Sequence, residues 1–245
     1  MSLFNDAHDV LTGAAGRSGR SLPRACAQRH PARLIAVQHP IHIPPSAPAR
    51  LVVLASGTGS LLESLLSAAV DDYPARVVAV GVDRDCRAVD VAQAASIPTF
   101  RVRLKDYSDR AAWDTAIADA TEAHRPDLIV SAGFMKILGP EFLSRFLGRV
   151  VNTHPALLPA FPGAHAVPDA LAYGVKLTGC TVHLVDAGVD TGPILAQEPI
   201  EILDDDDEDT LHERIKVTER RLLVDVLAAL AQRGVTWSGR KATIG

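Results

Sequence analysis

Short apolar segments alternate with amphipathic ones from residue 51 to residue 152, and no other feature restricts the fold as much. Leu51-Val52-Val53-Leu54-Ala55 is an apolar run that stops at Ser56-Gly57. Arg76–Val82, Thr99–Val102, Asp127–Gly133 and Arg149–Asn152 read as further strands. Between the first two, Leu61, Leu62, Leu65, Leu66 and Ala69 recur at helical spacing. Helices are also expected over residues 86–95, about 108–124, and about 140–146 with a proline at its start. Strands that are apolar throughout must be covered on both faces, and strand–helix alternation supplies that cover in a parallel sheet. Lys176–Asp186 and Pro193–Leu203 differ in reading as longer, β-rich neighbours. A final helix is expected over about Thr210–Gln232, with Thr210 and Glu213 as its capping box.

Composition fits one α/β domain. The chain has 245 residues, of which 47% are hydrophobic and few aromatic, so its core is aliphatic. A net charge of −4 gives no electrostatic reason to expect nucleic acid or an anionic membrane as partner. Cys26, Cys86 and Cys180 are too scattered for a disulfide framework or a zinc site, and read as reduced thiols of a cytoplasmic protein. The nine histidines show no ligand spacing, so no metal is expected. No apolar run approaches a membrane span. Residues 1–50 are Arg- and Pro-containing, with only Asp6 and Asp9 as acids, and read as a flexible extension. A stretch upstream of the true start and a transit peptide are the other readings. The run Asp204–Asp209 is expected to be a solvated loop whose last acids sit beside a helix N-terminus.

Two segments carry the candidate chemistry. Ser56-Gly57-Thr58-Gly59-Ser60 joins the first strand to the first helix, where glycines and free helix N–H groups can approach an anion. It lacks the lysine of a P-loop and the third glycine of a dinucleotide fingerprint, so a tight structural turn competes with a phosphate site. Val151-Asn152-Thr153-His154-Pro155 places an amide and an imidazole two residues apart at a strand end, facing the same way. A loop, Pro159-Ala160-Phe161-Pro162-Gly163, follows.

Residues 51–230 resemble the folate-dependent phosphoribosylglycinamide formyltransferases. Four stretches carry the resemblance in order: Ser56–Ser60, Ser131–Leu138, Asn152–Pro159, and Val185–Pro193 with Asp190-Thr191-Gly192-Pro193. The resemblance implies a Rossmann-like, open and mainly parallel sheet with a β-rich C-terminal half, in a formyltransferase domain over residues 51–245. It implies transfer of a formyl group from 10-formyltetrahydrofolate to the amine of glycinamide ribonucleotide. Asn152, His154 and Asp190 are then the catalytic residues, with Asp190 raising the pKa of His154. Gly57, Thr58, Gly59, Ser60 and Leu61 would hold the substrate phosphate, and Glu219 the ribose. Arg110, Met135, Lys136, Ile137 and Leu138 would line the folate site together with Asn152, and His165 is a secondary candidate. Leu61, Lys136 and Pro168 depart from the family's usual asparagine, arginine and arginine. The resemblance leaves a homodimer open. Relatives acting on methionyl-tRNA usually carry a further C-terminal domain, and formyltetrahydrofolate hydrolases an N-terminal one. A non-catalytic nucleotide-binding module would leave Asn152, His154 and Asp190 unexplained.

Overall fold

The computed structural model describes residues 40–245. They build ten strands and six α-helices. The first part runs β1 (Ile41–Ile43), β2 (Ala49–Ala55), α1 (Ser60–Ala68), β3 (Ala75–Val82), α2 (Arg87–Ala94) and β4 (Thr99–Arg101). After a short 3-10 turn at Leu104–Asp106 come α3 (Arg110–Glu122), β5 (Leu128–Ser131), α4 (Pro140–Arg145) and β6 (Val150–His154). The remainder is α5 (Ala166–Tyr173), β7 (Leu177–Leu184), β8 (Ile194–Glu201), α6 (Glu208–Arg233), β9 (Val235–Ser238) and β10 (Lys241–Ile244).

All ten strands join one sheet in the order β1-β9-β10-β8-β7-β6-β5-β2-β3-β4. From β6 to β4 the neighbours are parallel, as the alternating pattern requires. β7 adds antiparallel to β6, and β8 antiparallel to β7. The chain moves outward from β2 through β3 to β4, then returns to the other side of β2 for β5 and β6. This reversal opens a crevice at the carboxyl ends of β2 and β5, the usual place for a ligand in such sheets.

The two-residue period of β2 divides the core. Leu51, Val53 and Ala55 pack on one face with α1, α2 and the inner side of α6. Val52 and Leu54 pack on the other, against Trp113, Ile117, Phe142 and Phe146 of α3 and α4. The same division continues on β6, where Val151 belongs to the first face and Val150 to the second. Thr153 therefore shares the α6 side, and Asn152 and His154 share the α3/α4 side.

Two local expectations need correction. The sheet begins before Leu51: β1 pairs antiparallel with β9, and β2 already starts at Ala49. Three residues are too few to show a period, and the partner that stabilises them lies at the other end of the chain. The flexible character expected farther upstream lies outside the described residues. The cap of α6 is Asp207 with Thr210, one turn ahead of the expected Thr210 and Glu213. The Asp207 carboxylate accepts the Thr210 N–H at 2.9 Å, so the helix gains that first turn. The residues after Gly234 form the β9–β10 hairpin, which lies between β1 and β8. The acids of 204–209 splay apart as expected: Asp204 meets Lys176, Asp206 meets Arg214, and Asp207 caps α6.

Candidate active site at the carboxyl edge of the sheet

Asn152 and His154 end β6, and antiparallel pairing sets His183 of β7 opposite Asn152. His183 Nδ1 lies 3.0 Å from the Leu184 carbonyl, which can only accept, so this nitrogen carries the proton. Its Nε2 is then bare and accepts from the Asn152 amide nitrogen at 3.1 Å. That fixes the amide with its second N–H free.

His154 is almost fully buried. Its Nε2 donates to the Phe161 carbonyl at 2.7 Å, and its Nδ1 lies 3.3 Å from Asp190 Oδ2. The other Asp190 oxygen lies 3.6 Å from His183 Nε2. Asp190 also accepts the Gly163 N–H at 2.8 Å, which ties the loop after β6 to the turn before β8. Both sides of that tie use the left-handed region. Gly163 has φ 93°, where a side chain is disfavoured, and Asp190 has φ 52°, which aspartate tolerates.

The electrostatics differ from expectation at one point. Burial lowers the His154 pKa below its usual value, and the Asp190 carboxylate and Phe161 carbonyl offset this only in part. His154 is thus mainly neutral near pH 7 before substrate binds, although a proton added at Nδ1 would face Asp190 directly. Burial also works against ionisation of Asp190. The Gly163 N–H, and positive charge on the neighbouring His183 and His154 rings when they are protonated, outweigh it and hold the carboxyl below its ordinary range.

Two loops flank this cluster at the sheet crevice. Ser56–Gly59 leads from β2 into α1. Gly59 has φ 76°, and a Cβ there would stand 2.9 Å from the Ala88 backbone, so only glycine lets the loop lie against α2. The second loop leaves β5 and carries Met135 and Ile137 exposed, with Leu138 buried beneath them. Arg110, at the start of α3, hydrogen-bonds the Ile137 carbonyl and stacks 5.4 Å from the Trp113 ring centroid. Lys136 Nζ lies 3.4 Å from Asp83 Oδ2.

Residues 49–227 match the family described as formyl transferase. The chain belongs to the formyl transferase family. It is 74% identical over 209 residues to phosphoribosylglycinamide formyltransferase of Mycobacterium tuberculosis, covering 85% of this chain and 97% of that protein. The phosphoribosylglycinamide formyltransferase of Bacillus subtilis is 37% identical over 79% of this chain and 99% of its own length. Among solved structures, glycinamide ribonucleotide transformylase 1 from Symbiobacterium toebii superposes with a TM-score of 0.78 at 37% identity, covering 80% of this chain and 93% of that one.

The other sequence candidates distribute unevenly around this cluster. Leu61 packs half-buried against the core, so it offers the crevice only its backbone. Glu219 of α6 is buried and meets the Thr153 hydroxyl, on the opposite face of β6 from Asn152 and His154. Burial pushes its carboxyl up to about 7. His165 stands exposed at the N-cap of α5, and no hydrogen bond or ion pair joins it to the cluster. Pro168 lies within the first turn of α5, where its missing N–H costs nothing. Among the described residues, no group of three or more His, Cys, Asp or Glu is disposed to hold a metal. No helix there is long and apolar enough to cross a membrane.

Sequence reasoning passed over His183 and the Phe161 carbonyl. His183 alternates with buried Val182 and Leu184 and reads as a strand residue until the β6–β7 register is known. It also passed over Asp114, which holds the second loop in place. The buried Asp114 carboxylate accepts the N–H groups of Gly139, Glu141 and Phe142 at 2.6, 2.9 and 3.2 Å. This is a cap for α4 supplied by another helix. Asp114→Ala strands those donors and should cost about 2 kcal/mol in chemical denaturation. Asp114→Asn, which keeps one acceptor oxygen, should lose clearly less.

Proposed function

We propose that this formyltransferase moves the formyl group of 10-formyltetrahydrofolate to the amine of glycinamide ribonucleotide, the step its closely similar relatives are named for. The convergence of Asn152, His154 and Asp190 at the end of β6 is the observation that carries this reading.

The neutral amine attacks the formyl carbon directly, and the carbonyl oxygen becomes an oxyanion. The free N–H of Asn152 donates to that oxygen. His154 is mainly neutral at rest; it takes a proton from solvent at Nδ1 as the negative charge develops, with Asp190 stabilising the imidazolium, and returns that proton to solvent when the intermediate collapses. Asp190 also orients a water that carries the proton from the attacking nitrogen to the leaving folate nitrogen. The substrate phosphate rests on the backbone of Gly57–Leu61 and the Ser60 hydroxyl at the start of α1. Glu219 accepts from the ribose hydroxyls. The folate lies on the α3/α4 side of β6, against Met135, Ile137 and Leu138, with Arg110 and Lys136 toward its carboxylates. The two substrates thus approach the strand end from opposite faces of the sheet.

The test is steady-state formation of tetrahydrofolate from 10-formyltetrahydrofolate, with and without the ribonucleotide. Turnover that requires the ribonucleotide supports the transferase. Equal turnover without it means hydrolysis, and turnover in neither case defeats the reading.

Glu219 adds a pH signature. Ribose binding needs its carboxylate, and with a pKa of about 7 the ionised fraction falls with acidification. Affinity for the ribonucleotide should drop toward tenfold per pH unit below about 7 in wild type. Glu219→Gln should bind weakly throughout and lose this component of the profile. Calorimetric titration of both proteins across pH 5.5–8.5 measures the difference, and parallel profiles would refute the assignment.

A further inference from the structure

At the crevice between β2 and β5 the two substrate loops are joined through one buried carboxylate. Ala55 of β2 is in register with Val82 of β3, so the next residues, Ser56 and Asp83, leave the sheet side by side. The Asp83 side chain is 1% exposed. The Ser56 hydroxyl stands beside it, and it pairs with Arg84 at 3.1 Å and Lys136 at 3.4 Å. Ser56 Oγ in turn accepts the Met135 N–H at 2.9 Å.

These contacts form a closed circuit. Ser56 begins the glycine loop, while Met135 and Lys136 lie in the loop after β5. Asp83 belongs to neither. We infer that Asp83 is a positioning residue that sets the Lys136 ammonium and, through Ser56, the Met135–Leu138 segment for folate. This rests on the folate assignment of that segment proposed above.

Three physical points support it. A carboxylate this buried is tolerated only with cations and donors around it, so its partners are held in place. Arg84 is half exposed, whereas Lys136 is the cation reaching Asp83 from the loop after β5. Lys136 keeps further N–H donors after pairing, and two cations around one carboxylate leave a net positive charge for an anion. The long, flexible lysine stem has no planar fork to fix its direction, so its position depends on the partner.

The test is calorimetric binding of tetrahydrofolate to Asp83→Asn, Lys136→Ala and the double variant, with wild type beside them. Asparagine keeps the shape and an acceptor for Ser56 but loses the charge that holds Lys136. We expect Asp83→Asn to weaken binding about fivefold at nearly unchanged Tm, and Asp83→Ala about tenfold. In steady state the KM for 10-formyltetrahydrofolate should rise similarly, with kcat within about twofold. Because Asp83 acts through Lys136, the losses should not multiply: the double variant should be much closer to Lys136→Ala than to the product of the single effects. Multiplying losses, binding within twofold of wild type in Asp83→Asn, or tighter binding would each overturn the inference. Absence of tetrahydrofolate binding by wild type would defeat both this inference and the folate reading. A normal wild type with an inert Asp83 defeats this inference alone.

Discussion

His154→Ala is expected to lower kcat by about 10²–10⁴-fold while the protein remains folded. The imidazole is held at Nε2 by the Phe161 carbonyl, with Nδ1 facing Asp190, so its orientation is set before substrate arrives. Its depressed pKa makes proton uptake favourable only once an oxyanion forms beside it. Removing it deletes a transition-state interaction and should spare the KM values, since little of this charge exists in the ground state. Asp190→Ala should follow with a comparable loss, because it removes the counter-ion for the imidazolium. It also frees the Gly163 N–H and hence the loop 159–163. Single-turnover measurement of formyl transfer, with circular dichroism to confirm folding, checks both. A rate near wild type in either variant would refute the role assigned to that residue.

Asn152→Ala should reduce kcat by about 10²–10³-fold, the usual range for removing one oxyanion donor. The amide is aligned by its bond to His183, whose own proton is committed to the Leu184 carbonyl. This chain of bonds leaves one N–H of Asn152 for the substrate. Asn152→Asp provides a sharper control. It matches the size but replaces a donor with an acceptor, so it should be no faster than the alanine variant when ionised. If the aspartate variant retained most of the wild-type rate, the formyl oxygen would have to be stabilised elsewhere.

The sequence by itself determined the layered α/β architecture. Wholly apolar strand segments must be covered on both sides, and this local chemistry is written in consecutive residues such as Leu51–Ala55 and Asp127–Gly133. It also placed Asn152 and His154 on one side of a strand end, because strand periodicity is a property of the backbone. It did not place β1, whose three residues are stabilised by β9 from the far end of the chain. Only tertiary structure set His183 opposite Asn152, since antiparallel register joins residues 31 positions apart. Tertiary structure likewise decided the protonation balance of His154. Sequence reading expected the Asp190 carboxylate to raise the His154 pKa, and its charge does act in that direction, but desolvation depends on how much of the surrounding chain excludes water, and here it prevails. The joining of Ser56, Asp83 and Lys136 has the same origin. Each is unremarkable alone, and their contact exists because β2, β3 and β5 are neighbours at the point where the strand order reverses. Local patterns fix what each segment becomes, while electrostatic roles depend on distances and burial that only the assembled sheet defines.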